Sequence, residues 1–416
     1  MSPPATFVSG LRCVLCDRSY AYGEQETTCP SCGVDGILDV EYDEEAIRRA
    51  GFLRAYPSSD AARSIWRYRA LLPIESGWSL PRLQVGWTPV YEAPSLAREL
   101  GIEKLLIKDE GREPTGSFKD RSSAVGATRA LGLGRKQVAC ASTGNAATSL
   151  AGFCADLGIE AFIFVPAFAP EAKLAQLLVY GATVLQVEGD YAAAFELCQQ
   201  AIEAFGWYNR NCAINPYLVE GKKTCGLEIG EQLAARPPDV VAVSVGDGCT
   251  IAGIWKGLTE LHRFGLIPRL PRLLGVQAEG AQPIARAFAA GEPTVTPSQA
   301  DTLADSINVG APRNGVKALR AVRASGGQFV TVSDQAILEA IPRLARGSGV
   351  FAEPTAAASL AGIQAARERG LIGAGESVLQ VVTGNGLKDV RGALRSVSGP
   401  HRIPPTLEAV RQALQP

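Results

Sequence analysis

From residue 137 onward, short apolar segments alternate with longer segments of helical character. "QVACAST" (137–143) reads as a strand, "GNAATSLAGFCADLG" (144–158) as a helix and "IEAFIFVP" (159–166) as a strand. "PEAKLAQLLVYG" (170–181) then gives a helix, "ATVLQVEG" (182–189) a strand and "DYAAAFELCQQAIEAFG" (190–206) a helix. Strands that are apolar throughout are buried on both faces, and intervening helices are the crossovers that parallel pairing requires. A second series follows, with strands "DVVAVSVG" (239–246), "RLLGVQAE" (272–279) and "SVLQVVTG" (377–384), a helix from about Cys249, and further helices between. The pattern predicts an α/β chain with two doubly wound parallel-sheet domains and a ligand cleft between them.

The first 32 residues obey a different rule. "CVLC" (13–16) and "CPSC" (29–32) form two C-x2-C knuckles across a twelve-residue gap. Four such thiolates, Cys13, Cys16, Cys29 and Cys32, suit a tetrahedral structural zinc site with no open position. Two pairs of free thiols in a loop is the plainer alternative; a redox pair is disfavoured because no βαβ pattern adjoins them. The other six cysteines lie in apolar segments and read as small buried hydrophobes. The expected divisions are a zinc ribbon over 1–45, a linking segment over 46–80, an N-terminal catalytic α/β domain over 81–215 and a C-terminal cofactor-binding α/β domain over 216–395. A helical tail packing on the body is expected over 396–416.

Charge and apolar runs remove several classes of function. With 41 Lys and Arg against 42 Asp and Glu, the net charge is −1, and nothing steers the chain to nucleic acid or an anionic membrane. The run "AFIFVPAFA" (161–169) is too short to span a bilayer. "MSPPATFVSGLRC" shows no basic segment leading into an apolar one, so the expectation is a cytoplasmic enzyme. The two histidines, His262 and His401, lie away from glycine-rich or hydroxyl-rich segments, which argues against a histidine base.

Three loops fall where sheet ligands bind, beyond the carboxyl ends of strands. "STGNAATS" (142–149) leaves a strand and opens a helix; Ser142, Thr143, Gly144 and Asn145 could hold a substrate carboxylate there, or simply cap the helix. "VGDGCTIAG" (245–253) lets the backbone curl at Gly246 and Gly248, so that N–H groups over Gly246, Asp247, Gly248, Cys249 and Thr250 could meet one phosphate. A carboxylate at Asp247 repels that phosphate unless it points away. "VVTGNG" (381–386) places Thr383 at a strand end. Each loop is weak alone.

A fourth segment unites them. In "PTGSFKDRSS" (114–123), Lys119 sits among small residues and hydroxyls directly after Phe118. A lysine amine condenses with an aldehyde, and pyridoxal phosphate supplies an aldehyde, a phosphate and a pyridine nitrogen together. Lys119 would hold the aldehyde carbon, the 246–250 loop the phosphate, Asn145 the ring hydroxyl and Thr383 the pyridine nitrogen. A hydroxyl cannot keep that nitrogen protonated as an Asp would, which favours elimination and replacement over transamination. The small residues beside Lys119 would let the ring lie close to the chain.

"KDEGREPTGSFKDR", "STGNAATS", "INPYLVEGKKT", "FAEPTAAASLAG" and "VVTGNGLKD" together resemble the threonine synthase family, pyridoxal-phosphate enzymes of the tryptophan-synthase β fold (fold type II), over roughly residues 80 to 395. The resemblance implies conversion of O-phosphohomoserine and water to threonine and phosphate by β,γ-elimination and water addition. It also implies that Phe118 packs against the cofactor, that Lys119 shuttles protons, and, by analogy alone, a homodimer. Many members carry a four-cysteine ribbon.

The chain departs from the family at the substrate phosphate. Members typically carry a serine and an arginine flanking the Asn-Pro of "NPY"; here these places read Ala213 and Leu218. Losing an arginine fork on phosphate costs about 2–4 kcal/mol unless another cation replaces it. Lys222 and Lys223 are candidates. The departure keeps open a related enzyme acting on serine, threonine or phosphoserine, as an ammonia-lyase or in β-replacement; a catalytically silent regulator is disfavoured by the intact Lys119. Further candidates are Arg121, for substrate phosphate or as a bridge between helices, and Arg313 and Lys317 in a mobile substrate loop over 306–327, where surface charge is the plainer reading for both. Glu353 and Thr355 read more readily as helix-capping residues than as substrate neighbours.

Overall fold

The computed structural model describes residues 6–51, 62–167, 171–212 and 214–414. Three sheets organise them. The N-terminal sheet is antiparallel, with strands β1 (Val8–Cys13), β2 (Ser19–Ala21) and β3 (Leu38–Tyr42) in the order β2-β1-β3. The other two are the sheets that the strand–helix alternation predicts.

The smaller contains β6 (Gln137–Ala141), β7 (Glu160–Pro166), β8 (Thr183–Val187) and β9 (Tyr208–Asn209), all parallel, in the order β8-β7-β6-β9. Helices Lys119–Gly132, Asn145–Leu157 and Tyr191–Phe205 pack about it. The larger has six strands in the order β12-β11-β10-β13-β5-β4: β4 (Val90–Glu92), β5 (Lys104–Asp109), β10 (Val240–Ser244), β11 (Arg272–Ala278), β12 (Gln328–Val332) and β13 (Ser377–Val382). It is parallel except for β4, which runs antiparallel to β5. Apolar clusters cover both its faces, as runs such as "VVAVS" require: Val240 and Ala242 face one, Val241 and Val243 the other.

Several expectations are corrected. The boundary at 215/216 assigned β4 and β5 to the first domain, yet they complete the larger sheet. β5 is held in register with β13, from Ser377↔Lys104 to Val382↔Asp109, and the chain crosses to the smaller sheet only with the helix Lys119–Gly132. The segment 306–327, read as a mobile loop, contains the helix Gly315–Ala324 with Lys317, Ala318, Leu319, Ala321 and Val322 buried. β12, not anticipated, follows at once. The tail helix Leu407–Ala413 has no buried residue, so it does not pack on the body as expected.

The seam between the halves is the helix Tyr217–Gln232, in which Tyr217 through Glu231 are all buried. It lies against Lys119–Gly132 on one side and Cys249–Arg263 on the other. Glycine permits this: a Cβ at Gly226 would lie 2.1 Å from the Ile254 carbonyl oxygen. Several charges buried at the seam are paired with carboxylates. Arg121 bridges Glu110 and Glu228, and Lys108 also reaches Glu228 at 2.8 Å.

Candidate active site

The segment leading to Lys119 is fixed before the helix begins. The Thr115 N–H donates to the buried Asp120 carboxylate at 2.6 Å, Ser117 bridges Gly384, and the Phe118 N–H donates to the Thr383 carbonyl at 2.9 Å. The lysine is thus stitched to the end of β13 and opens its helix. Phe118 is fully buried in the larger sheet's core. Burial lowers the Lys119 pKa, and the nearby Lys222 charge adds to the effect, against Cys249, Glu353 and Cys212. A lysine placed this way readily holds a neutral, nucleophilic amine.

Asn145 begins the helix after β6. Its amide donates to both Glu353 carboxylate oxygens, at 3.0 and 3.1 Å. The Glu353 N–H in turn donates to the Gly384 carbonyl at 3.1 Å. Glu353 occupies the capping position of the helix Pro354–Glu368, but its side chain makes no capping hydrogen bond. It turns into the site instead, where burial raises its pKa against the pull of Asn145 and Lys119; the capping reading is corrected. Thr355 accepts from the Ser306 N–H at 3.2 Å. An open cleft runs alongside, lined by Thr143, Gly144, Asn145, Glu353, Thr355 and Lys388 among others. Ser142 accepts from the Gly144 N–H at 3.2 Å, shaping that loop.

At the glycine turn, Gly248 has φ +91°, and a Cβ there would lie 2.7 Å from the Asn314 carbonyl oxygen. A Cβ at Gly246 would lie 2.9 Å from the Ser306 carbonyl oxygen. The turn therefore nests against residues 306–314 and leads, through Cys249 and Thr250, into the helix Cys249–Arg263. The Asp247 side chain points away from the turn: its oxygens accept from the Arg313 N–H at 2.8 Å and the Asn314 amide at 3.0 Å. Burial, with Cys249 nearby, raises its pKa to about 7. Thr383, 8% exposed, ends β13 with a hydroxyl that has no hydrogen-bond partner among the described residues.

The other candidates separate clearly. Lys223 is held by Glu220 at 2.6 Å and Glu260 at 3.0 Å, and Lys317 by the Leu38 carbonyl at 2.7 Å and Asp39; neither faces the cleft. Arg121 is the bridge between helices. Arg313 lies over the Phe195 ring at 4.5 Å. Leu218 is fully buried against Gly126, and Ala213 lies outside the described residues. Lys222 does reach the site, donating to Cys212 and, at 2.9 Å, to Cys249. Sequence reasoning missed Lys388, whose ammonium donates to Gln176 at 2.8 Å and Thr148 at 3.0 Å; its place five residues after Thr383 was the available signal. Away from the cleft, the sulfurs of Cys13, Cys16, Cys29 and Cys32 all lie within 4.8 Å of one another, a group that can hold a metal ion.

A lysine amine, a buried hydroxyl without a partner among the described residues, an amide and a glycine turn at the strand ends of two sheets define a class of enzyme. The family described as "Pyridoxal-phosphate dependent enzyme" matches residues 81–384. The threonine synthase of Methanosarcina acetivorans is 40% identical over 97% of this chain and 98% of its own length. That of Mycobacterium bovis is 39% identical over 83% of this chain and 94% of its own. Among solved structures, the threonine deaminase of T.th. superposes with a TM-score of 0.61 at 28% identity, covering 72% of this chain and 92% of that one. The chain belongs to the pyridoxal-phosphate-dependent enzymes and, within them, to the threonine synthase family.

Proposed function

We propose that this chain is a threonine synthase, converting O-phosphohomoserine and water to threonine and phosphate with pyridoxal phosphate bound at Lys119. The observation supporting the reading is that Lys119 lies within electrostatic range of Glu353, the partner of Asn145, and of Cys249 at the glycine turn, while the neighbouring Phe118 N–H bonds the Thr383 carbonyl. The residues present fit the cofactor: Thr383 has a buried hydroxyl without a partner among the described residues, and the backbone around Gly248 leaves no room for a side chain. When bound, the cofactor supplies an electron sink that makes the hydrogens on the substrate's Cα and Cβ acidic.

This chain's residues do the rest. Lys119, its pKa lowered by burial, carries the cofactor and then takes and returns protons as a neutral amine. The N–H groups of Gly246 through Thr250 hold the cofactor phosphate at a helix N-terminus, and the outward turn of Asp247 removes the repulsion its charge would bring. Thr383 would hold the ring nitrogen without protonating it, and Phe118 backs the segment that positions Lys119. Asn145 would meet the ring hydroxyl and Ser142, Thr143 and Gly144 would hold the substrate carboxylate, while Glu353 orients Asn145. Cys13, Cys16, Cys29 and Cys32 hold a structural zinc ion that fixes the ribbon against the body.

A second reading, an ammonia-lyase or β-replacement enzyme, is favoured by one observation. Leu218, where the family has its phosphate-binding arginine, is buried and offers an anion nothing. The assay is direct: purified enzyme given O-phosphohomoserine should release threonine and inorganic phosphate in equal amounts. Conversion of threonine to 2-oxobutyrate, with O-phosphohomoserine inert, would establish the second reading.

A further inference from the structure

The buried lysines among the described residues fall into two groups. Lys108, Lys223 and Lys317 each have a carboxylate partner: Glu228, Glu220 with Glu260, and Asp39. Lys222 is fully buried, yet its hydrogen bonds among the described residues go only to the Cys212 and Cys249 sulfurs. Sulfur is a weak acceptor, and a buried ammonium without an anion is costly. At rest the partner able to neutralise it is Cys212. That thiol is held well below its usual range by its hydrogen bond with Cys249, aided by the Lys222 charge. Such a thiolate is exchangeable: an arriving oxyanion gives the lysine stronger acceptors, while Cys212 takes up a proton.

The position specifies the anion. Lys222 lies four residues after Leu218 on the helix Tyr217–Gln232, so both occupy one face, and helical side chains lean toward the N-terminus, carrying the ammonium back toward residue 218. Cys212 follows β9 in the smaller-sheet half, whereas Cys249 opens the glycine-turn helix of the larger. The ammonium therefore bridges Cys212 of one half and Cys249 of the other, within electrostatic range of Lys119. Lys223, the adjacent cation, is neutralised by its glutamates.

We propose that Lys222 is the cation that binds the substrate's phosphomonoester, taking over the work of the arginine that Leu218 displaces. This rests on the reading of the chain as an enzyme acting on a phosphorylated amino acid. It makes Lys222 the residue that selects a phosphorylated over an unphosphorylated substrate.

The test compares holoenzyme with Lys222→Met, and with Lys222→Gln and Lys222→Arg should the methionine variant fold poorly. Inorganic phosphate is titrated against melting temperature and against turnover of O-phosphohomoserine. Wild type should be stabilised by phosphate and inhibited competitively. Lys222→Met should lose the stabilisation and raise KM by roughly 30-fold or more, the scale for losing one partner of a buried charged hydrogen bond. Lys222→Arg should recover part of the effect, and cofactor affinity, followed by visible absorbance, should not change. Weakened cofactor binding at unchanged KM would assign the charge to the cofactor and overturn the proposal, as would equal stabilisation of wild type and Lys222→Met. Phosphate binding that needs Lys222 in an enzyme inert toward O-phosphohomoserine would refute the threonine synthase reading while leaving the anion site standing.

Discussion

Replacing Arg121 with methionine separates the two roles its sequence position allows. The guanidinium donates to Glu110 at 2.6 and 2.8 Å, to Glu228 at 2.7 and 2.8 Å and to Thr224 at 2.9 Å, with Glu113 at 3.3 Å. All three glutamate side chains are buried. Burial, reinforced by Glu110, holds Glu113 well above the carboxylate range despite Arg121, so it keeps its proton. Two carboxylates then balance two cations, Arg121 and Lys108. Removing Arg121 leaves one buried negative charge in excess, at a cost of about 3–5 kcal/mol. With an unfolding entropy of about 2.1 cal/mol/K per residue over roughly 300 residues of body, the melting temperature should fall by roughly 5–8 °C.

The sign of the pH dependence follows from Glu228. Burial pushes its pKa up, but Arg121 and Lys108 outweigh burial and bring it down to about 2. A carboxylate depressed in the folded state contributes stability above its unfolded pKa of about 4.3 and loses it as pH falls toward 2. The deficit of Arg121→Met should therefore be full at neutral pH and shrink below about pH 4. Urea unfolding at several pH values measures this, with KM for O-phosphohomoserine in parallel. A loss below about 1 kcal/mol together with a large rise in KM would refute the structural role and make Arg121 a substrate ligand.

Asp247→Asn tests the turn beside the proposed phosphate site. Because burial raises this acid to about 7, its contribution to stability is full below the unfolded value and lost as pH rises through about 7. The asparagine variant should match wild type near pH 4 and exceed its melting temperature above pH 7; parallel curves would contradict the burial assigned to Asp247. Zinc analysis of freshly purified protein should give about one ion per chain, and chelation should expose residues 13–42 to proteolysis while the body stays intact. No zinc, or an unaltered cleavage pattern, would remove the structural role of the four sulfurs.

Three strands of the smaller sheet, β6, β7 and β8, were legible because each is followed by its own crossover helix, so local periodicity and topology coincide; the two-residue β9 was not anticipated. The six-stranded sheet was less so. β5 pairs with β13 across some 270 residues, and nothing within "KLLIKD" names that partner. β12, "QFVTV", is a short run after a glycine-rich basic stretch that disguised it. Lys119, Asn145, Gly248 and Thr383 stand out in the sequence because each breaks a local pattern at a strand or helix end. Glu353 looked like a helix cap because its position is one; only the fold shows the carboxylate turned to Asn145. The fates of Lys222 and Lys223 were unreadable for a related reason. They are adjacent on a helix buried on every side, and which cation meets glutamates and which meets thiols depends on the neighbouring helices.

The account stands on Lys119 as the lysine that carries the cofactor. Borohydride reduction of the yellow enzyme, followed by peptide mass mapping, identifies that lysine directly. A pyridoxyl-phosphate mass on the peptide containing Lys119, with visible absorbance lost in Lys119→Ala, is the predicted result. Label on Lys222 or Lys388 instead, or a colourless protein that takes no label, would contradict it.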